Sequence, residues 1–141
     1  MLWIDSVCIN QRNNVEKSLQ VSFMGDIYAK ARSVLACVGP HANDSKYLVK
    51  KALEVANLEY GCTHQDDFMC QDCRSPLENW VMSLGIQKLT RLCESCETFG
   101  KRQYWTRVWI IQEVVKATSL QILCGNDLLP WTSFYNLEDF L

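Results

Sequence analysis

Val34-Leu35-Ala36-Cys37-Val38, an apolar run stopped at once by Gly39-Pro40, constrains the fold of this chain more than any other segment. A run this short, closed by a turn signal, suits a buried strand and not a helix. Helical periods lie on both sides of it. Upstream, Val21, Met24, Tyr28 and Ala31 fall on one helical face, with Phe23 and Ile27 beside it. Asn13, followed by Glu16 three residues on, resembles the cap that starts that helix. Downstream, Leu48, Ala52 and Val55 share a side, Asp44 is placed to cap their helix, and Gly61 to end it. Leu2 to Ile9 has strand character. Strand, helix, strand, helix predicts an α/β fold: a largely parallel sheet flanked by helices.

The segment 61–76 breaks the pattern. It is polar, holds Cys62, His64, Cys70 and Cys73, and reads as an inserted loop. Ser75-Pro76-Leu77-Glu78 predicts a helix start, with Pro at the first helical position and Glu at the third. Trp80, Val81 and Leu84 give that helix an apolar face, which Gly85 interrupts. Leu89, Leu92, Cys93, Cys96 and Phe99 continue a helical period. A further helix is expected over Tyr104 to Lys116, a strand over Leu120 to Cys124, a turn at Gly125-Asn126-Asp127, and a last helix over Trp131 to Leu141.

Composition narrows the class. A chain of 141 residues with 48% hydrophobic and 21% charged residues is expected to form one globular domain over 1–141. The net charge is −2 and no basic run exceeds two residues, so nothing predicts binding to nucleic acid or to an anionic membrane. No apolar stretch approaches the ~18 residues of a membrane span, and the first residues lack the pattern of a signal peptide. Eight cysteines without a signal peptide point to reduced thiols or metal ligands and to a cytoplasmic location.

The cysteines raise one metal reading. Cys70-x2-Cys73 and Cys93-x2-Cys96 have the spacing of a four-thiolate zinc site, which would order a loop poor in apolar residues. Against it, Cys93 and Cys96 lie in a helical period and serve equally as small core residues. No Gly-rich phosphate loop, GxSxG elbow or HExxH motif is present. A Cys8–His41 nucleophile pair needs two strand ends to converge, and a buried strand cysteine is more often inert packing.

Two stretches carry polar residues inside apolar runs: Leu2-Trp3-Ile4-Asp5-Ser6-Val7-Cys8-Ile9-Asn10-Gln11 and Arg107-Val108-Trp109-Ile110-Ile111-Gln112-Glu113-Val114. A buried polar group costs stability unless it finds a partner, so these side chains are either paired or kept for a site. On a strand, Trp3, Asp5, Val7 and Ile9 share one face, and Asp5 falls in the carboxyl half, where open α/β sheets place ligands. On a helix, Trp105, Val108, Trp109 and Gln112 share a side. Arg107 bridged to a carboxylate such as Asp5, with Gln112 satisfying backbone groups, is the purely structural alternative.

At these residues the chain resembles the heterokaryon-incompatibility (HET) domain of filamentous fungi. The likeness runs through Leu2-Trp3-Ile4-Asp5, Cys8-Ile9-Asn10-Gln11, Glu16-Lys17, Gln20-Val21, Met24, Ile27-Tyr28 and Ala31. It continues in Arg102-x-Tyr104-Trp105-x-Arg107-Val108-Trp109-Ile110-Ile111-Gln112-Glu113-Val114, then in Cys124-Gly125 and Trp131. The family's earlier block, a strand with a Ser-Tyr-x-Trp-Gly-like motif and the helix after it, is missing. The Asp that often follows Asn-Gln is replaced by Arg12-Asn13-Asn14, and the Pro usual before the aromatic pair is Gln103. The resemblance implies a partial domain, distantly similar to the TIR fold, that triggers cell death in fungal non-self recognition by self-association or with protein partners. It also implies two alternatives, an NAD glycohydrolase like some TIR domains and an inactive truncated copy. Were NAD the substrate, Glu113 and then Asp5 are the motif carboxylates for the chemistry. Trp3, Asn10, Gln11, Arg107, Trp109 and Gln112 would line the site.

Overall fold

A computed structural model describes residues 2–58, 71–107 and 109–141. The elements run α1 (Asp5–Cys8), α2 (Asn14–Lys30), β1 (Val34–Gly39), α3 (Ser45–Ala56), α4 (Gln71–Leu84), α5 (Ile86–Gly100), a 3-10 turn (Gln103–Thr106), α6 (Ile110–Lys116), β2 (Leu120–Cys124), β3 (Asp127–Pro130) and α7 (Trp131–Phe140). The fold is α/β, as the alternation predicts. Its sheet is small and mixed, in the order β1-β2-β3. β1 and β2 run the same way, with Val34 N–H on Ser119 O and Gly125 N–H on Gly39 O. β2 and β3 are antiparallel, with Ile122 opposite Leu129.

The chain divides into two compact units, Met1–Val34 with Val108–Leu120, and Leu35–Arg107 with Gln121–Leu141. In the first, α2 packs on α6. Met24, Tyr28 and Val34 form the centre, with Trp3, Val21, Ala31, Trp109, Ala117 and Leu120 against them. Trp3 meets the Tyr28 ring edge-on, with centroids 5.9 Å apart. In the second, α3 lies against α5, α7 and β3, while α4 packs on α5. Leu48, Ala52, Leu77, Leu92, Ile122 and Leu137 have no exposed surface there.

The first segment overturns its strand reading. Asp5–Cys8 is a helical turn, not part of a strand over Leu2 to Ile9, so the expected two-faced alternation is lost and Val7 is exposed. Local bonds account for it. Gln11 Nε2 donates to Asp5 O and Ile9 O, Arg12 N–H to Asn10 Oδ1, and Ser6 N–H to Asp5 Oδ1. Side chains that bond their own backbone compete with a sheet ladder.

Asn13 does cap α2, its side chain accepting from Val15 N–H and Glu16 N–H. Glu16 reaches back one turn further than a capping box predicts, to Asn10 N–H at 3.2 Å. Asp44 precedes α3 but does not cap it. Its backbone is left-handed (φ 62) and its carboxylate turns to Arg91, whose Nη2 donates to Oδ1 at 2.7 Å. That hydrogen bond holds the Asp44 carboxyl below its ordinary range.

Helix α4 starts at Gln71, so Pro76 lies inside it and not at its first position, and the last residues of the expected 61–76 loop are helical. Residues 61–70 of that loop lie outside the described residues. Gly85, at φ 73, separates α4 from α5. The single helix expected over Tyr104 to Lys116 is instead a 3-10 turn and α6, divided where Arg107 is extended. β3 went unforeseen: Gly125-Asn126 is a two-residue hairpin loop, and the chain returns along β2 before α7 begins.

Among described residues, no helix is long and apolar enough to cross a membrane. Replacing Asn13 by Ala should remove both cap bonds and lower stability by about 1 kcal/mol. Thermal denaturation would register this as a melting temperature several degrees lower, with Asn13→Asp close to wild type.

Candidate functional site

The expected site residues fall into the two units. In the first, Trp3 and Trp109 are packing groups around Tyr28 and Met24. Asn10 shapes the turn into α2, accepting from Arg12 N–H through its side chain and from Asn13 N–H through its carbonyl. Gln11 ties the C-terminal end of α1, as above. Asp5 lies in the first turn of α1, half-buried. Glu113, on α6, is 5% exposed. Beside it in sequence, Gln112 Oε1 is buried and has no hydrogen-bond partner among described residues. A lone buried acceptor of this kind is uncommon and marks the α6 segment as a place to look for a ligand.

Arg107 belongs to the second unit and is exposed, its guanidinium 5.9 Å from the centre of the Tyr104 ring. Trp105 leaves the common helical side expected with Trp109 and Gln112. Its indole N–H donates to Phe99 O at 2.9 Å, and its ring stacks on Phe134. Phe99, Tyr104, Phe134 and Trp131 complete an aromatic cluster with it.

The densest polar arrangement surrounds His41, with neighbours other than the Cys8 considered from sequence. It sits at the carboxyl ends of β1 and β2, where parallel strands of α/β proteins usually gather functional groups. Arg102, at the end of α5, donates to Val38 O, Pro40 O and Ala42 O, and its Nη1 lies 3.4 Å from Cys124 Sγ. His41 places Nε2 3.1 Å from Asp127 Oδ2, and Nδ1 3.2 Å from Ser45 Oγ and 3.5 Å from Cys124 Sγ. Ser45 is buried and also accepts from Ala42 N–H.

Thiol, imidazole and carboxylate in this order resemble a cysteine nucleophile with its base and orienting acid. Cys124 has 0% exposure, however, so the thiol is closed to substrate and the cluster acts to hold the loop 39–45. His41 thus has Cys124 beside it, while Cys8 is exposed and accepts from Ile4 N–H. Two glycine-linked signals could have located the cluster: Gly39-Pro40-His41 after one strand, and Cys124-Gly125-Asn126-Asp127 after another.

Of the four cysteines with zinc spacing, Cys70 lies outside the described residues, as does the side chain of Cys73. Cys93 is exposed and Cys96 half-buried on α5. Burial, then the neighbouring Cys93 and Glu138, push the Cys96 thiol up to about 12, so it is a protonated thiol near neutral pH. Among described residues, no group of three or more His, Cys, Asp or Glu side chains is arranged to hold a metal ion.

Comparison with known proteins assigns the chain. The heterokaryon incompatibility protein (HET) family matches residues 1–113. The chain belongs to the HET family. It is similar to heterokaryon incompatibility protein 6, OR allele, of Neurospora crassa, at 28% identity over 153 aligned positions. The match takes in 99% of this chain and 22% of that protein, so the chain spans about a fifth of its relative's length. No solved structure matches this HET domain. Arg102, which the HET match includes, therefore anchors Cys124, which lies beyond the match.

Gly125 is held at φ +58, and a Cβ there would stand 2.5 Å from the His41 ring. Gly125→Ala is expected to cost about 1–2 kcal/mol through the left-handed backbone alone, and more through the displaced imidazole. His41→Ala should relieve the second part, so the double variant loses less than the sum of the singles in chemical denaturation.

Proposed function

We propose that this HET domain acts in fungal non-self recognition, signalling an incompatibility reaction that ends in programmed cell death. It does so by association with protein partners or with further copies of itself. The family match over residues 1–113 is the observation that carries this reading. The printed name of the Neurospora relative, an incompatibility protein, supports it. Expression of the chain in a fungal host tests it: viable transformants should fall sharply against an empty vector, and undiminished viability would overturn the reading.

A second reading rests on α6. A carboxylate held out of water suits an oxocarbenium-like centre, as in cleavage of NAD to nicotinamide. Glu113 is such a group, and the unpartnered Gln112 Oε1 lies in the same segment. In this reading Glu113 stabilises the centre, with Asp5 as the second candidate and Trp109 as the stacking surface for a base. The distant TIR likeness belongs here too. Purified protein incubated with NAD should release nicotinamide. Glu113→Ala should abolish release, whereas Glu138→Ala, at an exposed position, should retain it. Absence of turnover in the wild type sinks the enzymatic reading.

A further inference from the structure

We draw no further inference here: the strongest candidate, the exposed apolar patch of Val15, Leu19 and Phe23 on the outer face of α2, carries none because nothing in the structure shows what covers it.

Discussion

The second unit depends on one guanidinium. Arg102 leaves the end of α5 and bonds the carbonyls of Val38, Pro40 and Ala42, which follow one another along the turn out of β1. Pro40 and Ala42 lie beyond the strand and their carbonyls need donors, and a planar fork with several N–H groups can serve them together with Val38 O. The turn it holds includes two non-glycine residues with left-handed backbone, Asn43 and Asp44. With the turn fixed, His41 is delivered to Asp127, and Ser45 begins α3 inside the core. The same guanidinium lies 4.7 Å from the centre of the Phe99 ring, so its charge is also shielded by the aromatic cluster beneath it.

Elements with a full period were legible from sequence. α2, α3, α5, β1, β2 and α7 appear where their apolar spacing puts them, within a few residues. The misread elements have separate causes. Leu2 to Ile9 has strand composition, but Asn10 and Gln11 offer the backbone nearer partners than any strand could. The helix expected across residue 107 breaks because Trp105 is drawn into the rings of Phe99, Phe134 and Trp131, a tertiary pull that no local period reveals. Pro76 is a good helix start by rule, yet the helix runs back past it.

The site was less legible than the fold, for a related reason. Asp5, Gln112 and Glu113 stand out in the sequence as polar residues stranded in apolar runs. The arrangement at the strand ends is built from residues that look ordinary one by one: a histidine after Gly-Pro, a cysteine ending a strand, an arginine ending a helix. Only the parallel course of β1 and β2 brings His41 and Cys124 together. That adjacency is a property of topology. The hairpin at Gly125-Asn126 then supplies Asp127 to the other side of the imidazole.

The family match stops at residue 113, three residues short of the end of α6. A protein cut there would keep Arg102 and Phe99 but lose Cys124, Phe134 and Trp131, leaving a guanidinium and an aromatic face without half of what encloses them. Position 113 is therefore where the family match ends and not a boundary of cooperative structure. The second unit includes the hairpin and α7, and this chain trimmed at residue 113 would expose the place where the strand ends meet.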